Sequence, residues 1–181
     1  MRLFNDSVRY GLVAQALHWG IAALLVAQLV LAELAEDAPA GTGLLDLHRS
    51  IGITLLGLAA LRLAWRFISP PPPPPPMARW QRLAAGGVHA AFYALLFALP
   101  LTGWMMSSAA GDGVAWFGWF ALPDVVAPSQ DLEEALEEIH ETLPAILLAL
   151  VAVHAAAAAK HQWLDRDGLL LRMLPGGRTL R

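Results

Sequence analysis

Long apolar segments alternate with short charged ones along the chain. A membrane-spanning helix needs about 20 consecutive apolar residues, and four segments approach or exceed that length. We predict spans at about residues 11–33, 44–67, 81–107 and 132–162. No segment shows the strict alternation of apolar and polar positions that is typical of a strand. The pattern therefore predicts an all-α integral membrane four-helix bundle, with residues 1–181 forming a single transmembrane domain.

The second span is the least uniform, because it contains His48, Arg49, Arg62 and Arg66. Arginines near a helix end can extend their charged groups to the membrane surface, so we keep this segment as a span. The first span could instead be the core of a signal peptide, since an Ala-x-Ala sequence follows at 38–40. Its apolar run is longer than such cores usually are, and we expect it to remain in the protein.

Composition agrees with a membrane protein. Hydrophobic residues make up 57% of the 181 residues, and the mean hydropathy is +0.52, more apolar surface than a soluble domain of this size could bury. The chain has no cysteine. This excludes disulfides, thiolate metal sites, iron–sulfur clusters and covalent haem attachment through a Cys-x-x-Cys-His motif.

Charge is divided unevenly between the two predicted sides of the membrane. Of 12 lysines and arginines, all but Arg49 fall on the side of the termini: Arg2, Arg9, Arg62, Arg66, Arg79, Arg82, Lys160, Arg166, Arg172, Arg178 and Arg181. The opposite side carries most of the acidic residues: Glu33, Glu36, Asp37, Asp46, Asp112, Asp124, Asp131, Glu133, Glu134, Glu137, Glu138 and Glu141. Since cytoplasmic loops are enriched in lysine and arginine, both termini are predicted to be cytoplasmic.

Two connecting segments have unusual compositions. Pro70 to Pro76 are consecutive prolines, which predicts a stiff polyproline II linker over residues 69–77 on the cytoplasmic side; a ligand for a proline-binding partner is the alternative. On the other side, the loop after the third span contains Trp116, Phe117, Trp119 and Phe120. These aromatic residues predict a segment that lies in the membrane surface.

Histidine is the titratable residue that recurs within the spans. His140 and His154 are 14 residues apart, which is about 40° short of four full helical turns and about 21 Å along the axis. They therefore share one helix face, one near each membrane surface. His161 lies within about 20° of the same line and roughly 10 Å further.

His140 and His154 each have a counterpart at the same depth on another span. His48 lies near the outer end of span two, as His140 does on span four, and His18 lies in the inner half of span one, as His154 does. Two opposed pairs of imidazoles are what two bis-histidine haems need. Small residues beside them, Gly20, Gly52, Gly57 and the alanines at 155–159, could leave room for the flat ring systems.

Other interpretations remain open for these histidines. A single histidine within a membrane can serve as a hydrogen-bond donor between helices. A zinc or copper site is weaker, because each layer offers few clustered ligands, and a proton relay would need intramembrane Asp or Glu partners. His89 and His161 could replace His18 or His154 as ligands, could lie where a quinone carbonyl accepts a hydrogen bond, or could be surface histidines with structural contacts.

Five segments together resemble the bacterial cytochrome b561 family, and within it the di-haem superoxide oxidase type. They are ALHWGIAALLVAQL, LHRSIGITLLGLAALRLAWR, VHAAFYALLFALPLTGW, WFGWFALP and IHETLPAILLALVAVHAAAAAKH, in this order along nearly the whole chain. The resemblance implies a multi-pass protein of the bacterial inner membrane that holds two haems b. By the same resemblance, His18 and His154 bind the inner haem iron, and His48 and His140 bind the outer one.

The resemblance also implies a reaction. Superoxide would give its electron to the outer haem and leave as O₂, and the electron would cross to the inner haem and reduce ubiquinone. His161 matches the histidine near the quinone, and Arg79 and Arg82 are candidate neighbours of that site. Superoxide is an anion, and Arg49 is the one cation on the acidic outer side that could attract it.

A second hypothesis is a non-catalytic di-haem conduit that anchors a periplasmic dehydrogenase or serves a soluble periplasmic electron-transfer protein. The acidic outer side would suit a basic partner of this kind. A haem-free scaffold or transporter fits the hydropathy but not the two histidine layers. We expect the lipid bilayer, ubiquinone and superoxide or O₂ as partners, and no nucleic acid.

Overall fold

Four long helices form the molecule. The computed structural model describes residues 2–36, 38–39 and 41–176; Asp37, Ala40, Arg178 and Arg181, which entered the charge pattern and the signal-peptide alternative, lie outside them. The helices are α1 (Leu12–Glu36), α2 (Leu44–Ile68), α3 (Arg79–Ala110) and α4 (Gln130–Lys160). Each is long and apolar enough to cross a membrane, and the predicted four-helix membrane bundle is confirmed.

The helices pack in chain order, α1 against α2, α2 against α3 and α3 against α4. A small apolar core of Ile21, Leu55, Ala59 and Leu96 joins the first three. We call the end of the bundle that carries residues 2–11, the α2–α3 linker and residues 161–176 the inner end, and the opposite end the outer end. The charge bias predicts that the inner end is cytoplasmic.

Helix α4 carries the features that position its histidines. Ser129 caps its first turn, accepting a hydrogen bond from the Leu132 N–H, as short polar residues commonly do at helix starts. Pro144 lies within the helix and has no N–H to donate to the carbonyl of His140, four residues earlier. Beyond Lys160, a π-helical turn over His161–Asp165 continues the same helix towards the inner end.

The outer loop between α3 and α4 contains a β-hairpin that the sequence pattern did not predict. Strand β1 (Val114–Trp116) pairs antiparallel with β2 (Phe120–Leu122). Each strand has three residues, too short for an alternating pattern to be recognised. Phe117 and Gly118 both have positive φ, which is the backbone of a tight hairpin turn.

This hairpin is docked on the outer end of α2. The Trp116 indole N–H donates to the Thr54 hydroxyl at 3.0 Å, and the Phe117 N–H donates to the Ser50 hydroxyl at 2.9 Å. Ser50 is buried, whereas Trp119 is 78% exposed. One side of the aromatic segment therefore covers the end of the bundle, and its position in the membrane surface stays a prediction.

The inner end is held together by contacts between the N-terminal segment, the proline run and the C-terminal segment. Asn5 donates from its side-chain amide to the carbonyls of Ser69 and Pro70, at 2.7 and 3.1 Å. The Arg172 guanidinium donates to the Pro73 carbonyl at 2.8 Å. Every third residue of the linker is buried, namely Ser69, Pro72 and Pro75. This is the three-residue period of a polyproline II helix that lies with one side against the protein.

Candidate functional site

The outer pair of predicted ligands is brought together between α2 and α4. The ring centres of His48 and His140 are 6.3 Å apart, and their planes are inclined by 77°. Both residues are half-buried. The residues of α2 that contact the hairpin, Ser50 and Thr54, follow His48 by two and six positions.

Two residues of α3 fix the ring of His140. Nδ1 of His140 lies 3.0 Å from the Thr102 hydroxyl oxygen. That hydroxyl lies 2.9 Å from the carbonyls of Ala98 and Leu99, so its proton is used there and its oxygen can accept from Nδ1–H. This arrangement keeps Nδ1 protonated and leaves the Nε2 lone pair free to bind a metal.

Gly103 provides the space for this contact. A Cβ at Gly103 would lie 3.0 Å from Cε1 of His140, closer than side chains normally pack. Glycine at this position therefore lets the imidazole approach α3 without the shift that a Cβ would require. Neither Gly103 nor Thr102 was a sequence candidate, because their importance depends on which turn of α3 faces His140.

His48 is held from the α1 side. The Gln28 side-chain amide donates to the His48 carbonyl at 2.8 Å, which positions the backbone of α2 at this turn. Nδ1 of His48 is buried and has no hydrogen-bond partner among the described residues. Buried polar groups in folded proteins are almost always paired. If the His48 ring served only to stabilise the fold, its Nδ1 would be expected to have a hydrogen-bond partner.

The inner pair lies between α1 and α4. The ring centres of His18 and His154 are 6.4 Å apart, with planes inclined by 71°. His89 of α3 also reaches this layer, 5.8 Å from His154, and Phe92 packs edge-on against His154 at 5.5 Å. The structure thus gathers three histidines at the inner level, whereas the outer level has two.

The spacing of both pairs fits an iron between them. A metal–imidazole bond is about 2 Å long, and the bonding nitrogen is roughly 1 Å from its ring centre. Two such ligands on opposite sides of one iron therefore have ring centres about 6 Å apart. The pairs His48–His140 and His18–His154 both have this separation, so the residues present fit two bis-histidine haems.

The glycines near the pairs differ in what they do. A Cβ at Gly20 or Gly57 would meet no atom within 4 Å, and both residues are exposed, so their part in leaving room for a flat ring system stays a prediction. Gly52 was expected to leave room in the same way. It instead lies against α1, where a Cβ would be 3.3 Å from the Gln28 side-chain amide nitrogen.

His161 lies in the π-helical turn with two carboxylates. Its Nδ1 is 2.6 Å from Oδ2 of Asp167 and 3.2 Å from Oδ2 of Asp165. These three groups are close enough to share a metal ion, but the Lys160 ammonium already pairs with Asp165 at 2.5 Å. The Nδ1–Asp167 contact leaves Nε2 of His161 as the atom available to a ligand.

The three arginines predicted to take part in the site lie at opposite ends of the bundle. Arg79 and Arg82 are exposed on the first turn of α3, and no hydrogen bond or salt bridge of the described residues joins either of them to His161. Arg49 is near the outer pair, but its guanidinium binds Asp112 at 2.7 Å and lies 3.8 Å from Asp46. Its charge is thus largely compensated by neighbouring carboxylates.

Arg62 is a residue whose place the sequence did not reveal. It was assigned to the helix end, where its charge could extend to the membrane surface. Its guanidinium instead donates to the Ala14 carbonyl of α1 at 3.3 Å and lines a small cavity with Tyr10, Arg66 and Tyr93. The available signal was a charged residue about two turns inside a span, since such residues usually mark functional sites.

Comparison with known proteins gives matches along nearly the whole chain. The profile of the family described as prokaryotic cytochrome b561 matches residues 9–176. The chain is 35% identical to cytochrome b561 homolog 2 of Escherichia coli over 179 residues, which cover 96% of this chain and 95% of that protein. It is 32% identical to cytochrome b562 of Cereibacter sphaeroides, covering 87% and 90%. It is 29% identical to the probable superoxide oxidase CybB of Yersinia pestis, covering 92% and 96%.

Proposed function

The chain belongs to the prokaryotic cytochrome b561 family, and from this premise we propose that it moves electrons from periplasmic superoxide to ubiquinone. Membership makes it a haem b electron-transfer protein that passes several times through the bacterial inner membrane. The number of haems, the electron donor and the electron acceptor belong to the proposal. The observation that carries the electron path is the pair of histidine layers, with ring spacings of 6.4 and 6.3 Å, and the superoxide donor is proposed from the likeness to the probable superoxide oxidase of Yersinia pestis.

We propose that four histidines would hold the haem irons, His48 with His140 at the outer level and His18 with His154 at the inner level. Haem b, when bound, supplies one-electron chemistry at its iron, and the protein determines ligation, spacing and access. His140 and His154 hold the two levels about 21 Å apart on one helix.

Thr102 has a separate role at the outer level, since it accepts the hydrogen bond of His140 Nδ1 and so fixes its tautomer. Replacing Thr102 with valine, which keeps the shape and removes the acceptor, is expected to weaken binding of the outer haem by about 10- to 100-fold. The haem-to-protein ratio of protein made under limiting haem supply measures this, together with the outer haem's reduced α-band.

Thr102→Ser is the matched control for that variant, because it keeps the hydroxyl and removes a methyl group. It is expected to retain the outer haem as the wild type does. If Thr102→Val fills its outer site and keeps its α-band unchanged, the hydrogen bond has no part in ligation.

At the inner end, we propose that His161 donates a hydrogen bond from Nε2 to a carbonyl of ubiquinone and passes a proton to the reduced product. Asp167, 2.6 Å from Nδ1, would orient the imidazole, as a carboxylate does for a catalytic histidine. The net reaction is balanced with two superoxide anions, one ubiquinone and two protons giving two O₂ and one ubiquinol. His89 is the second candidate donor at this level, and Arg79 and Arg82 remain candidate neighbours of the quinone.

A second candidate is the conduit for a periplasmic dehydrogenase or a soluble cytochrome. What favours it is the charge of the outer end, where α4 begins with Asp131, Glu133 and further acidic residues, and where Arg49 is already paired with Asp112. Negative potential slows an approaching anion and attracts a basic protein. The two candidates therefore predict opposite charges for the electron donor.

The test supplies superoxide to the purified protein under anaerobic conditions with a soluble ubiquinone analogue. Ubiquinol formation that is catalytic in the protein supports the superoxide reaction. Haem that is reduced only after a basic periplasmic electron-transfer protein is added supports the conduit. A protein without haem absorption would contradict both.

Arg49→Gln refines this experiment. If Arg49 guides superoxide, the variant should reduce ubiquinone more slowly at low ionic strength and approach the wild-type rate as salt rises, because screening removes the guidance. Asp112→Asn is the matched variant, since it frees Arg49 of its partner and should have the opposite effect. Equal rates in all three proteins would exclude Arg49 from substrate approach.

A further inference from the structure

The inner end of the bundle contains a positive charge for which the proposed chemistry gives no role. Arg62 lies in α2 about two turns before its end at Ile68. It is half-buried, in a part of the chain where an arginine is costly unless its charge is compensated. Its presence there needs a reason.

The described neighbours of Arg62 do not supply an anion. Its guanidinium donates to the Ala14 carbonyl, and Arg62 lines the same small cavity as Tyr93. None of the salt bridges among the described residues includes it. Burial raises the pKa of Tyr10 above its ordinary value, so this phenol of the same cavity stays neutral.

The charge is directed at the inner histidine layer. The Ala14 carbonyl that Arg62 contacts lies on α1 one helical turn before His18, on the same face of that helix. A haem bound by His18 and His154 would bring two negatively charged propionates into this region. A buried anion needs a partner of opposite charge, and a guanidinium binds a carboxylate with two parallel hydrogen bonds.

We propose that Arg62 binds a propionate of the inner haem and that its positive charge raises the reduction potential of that haem relative to the outer one. The reduced haem carries one positive charge less at its iron, so a nearby cation favours it. At the outer level the comparable cation, Arg49, is compensated by Asp112 and Asp46. This difference makes electron transfer from the outer to the inner level energetically downhill.

This inference rests on the proposed binding of two haems, and is independent of whether superoxide or a partner protein is the donor. Two unit charges roughly 10 Å apart at an effective dielectric constant of about 20 change an equilibrium constant by about tenfold. Arg62→Gln should therefore lower the reduction equilibrium constant of the inner haem about tenfold, or about 59 mV for one electron. The outer haem should keep its potential.

The measurement is an optical redox titration of purified protein in detergent, with the two haems resolved by their α-bands. Arg66→Gln is the matched control, one turn further along α2 and exposed, and it should give a clearly smaller shift because solvent screens its charge. Arg62→Lys keeps the charge and should stay near the wild-type potential. Arg62→Gln could also lose the inner haem altogether while Arg62→Lys keeps it at the wild-type reduction potential. This result would support Arg62 as the propionate partner as well.

Three results would overturn the inference. The first is an unchanged reduction potential of the inner haem in Arg62→Gln, and the second is an equal shift of the potentials of both haems in that variant. The third is a shift of the inner haem's potential in Arg66→Gln as large as in Arg62→Gln, since this would point to the general charge of the inner end. An Arg62→Gln variant that keeps its potential but needs more quinone for half-maximal rate would assign the cavity to quinone instead. A wild-type protein with one haem per chain would contradict the proposed function itself. Haem content therefore distinguishes a failure of the proposed function from a failure of the Arg62 inference.

Discussion

Replacing His140 with alanine is expected to remove the outer haem and leave the inner haem in place. His140 faces His48 at a ring-centre distance of 6.3 Å, and the variant leaves only one imidazole at that level. The inner pair is about 21 Å away along α4, too far to be disturbed directly. Haem content should fall from two to one per chain, and ubiquinol formation from superoxide should fall to background.

The haem-to-protein ratio, the low-temperature α-band spectrum and the quinol assay measure these effects. Glu141→Ala is the matched control, because Glu141 is the next residue and is exposed; it should keep both haems and the full rate. A His140→Ala protein that still holds two haems would refute the pairing. Loss of both haems from a protein that remains folded would refute the independence of the two levels.

The second large effect is expected at the inner level, where the structure offers two partners for His154. His18→Ala should lose the inner haem, whereas His89→Ala should keep both haems. Both separations from His154 would admit one iron, 6.4 Å for His18 and 5.8 Å for His89, and His18 is preferred because its separation matches the 6.3 Å of the outer pair. His89 is also more exposed than His18.

The two variants serve as controls for each other, since each removes one imidazole from the same layer. Absorbance spectra and haem content of both proteins decide between the partners. The reverse outcome, with the inner haem lost from His89→Ala and kept in His18→Ala, would exchange their roles. A quinone effect in His89→Ala with both haems present would place His89 at the acceptor side.

If both assignments hold, the charges of the protein act on the electron in one direction. The outer end is acidic and Arg49 is paired there, whereas Arg62 at the inner level has no anionic partner among the described residues. An electron is therefore attracted from the outer to the inner level. This holds for superoxide and for a soluble donor alike, so it does not by itself identify the donor.

Several features of the candidate site were beyond the reach of sequence alone, for a common reason. Thr102 and Gly103 matter because one turn of α3 lies against His140, and a sequence does not say which turns of two helices meet. The same applies to Arg62, whose position beside Ala14 depends on how α2 packs on α1. The hairpin over residues 114–122 was not predicted because three-residue strands carry no periodic signal.

The sequence by itself determined the number of helices, the membrane class and the two levels of histidine. These follow from apolar length and from the fixed 1.5 Å rise of a helix, which places His140 and His154 on one face at a known separation. Tertiary structure decided which rings face each other, what holds each ring in place and which charges remain uncompensated. Such properties depend on distances of a few ångströms between side chains of different helices, and helical periodicity constrains only positions within one helix.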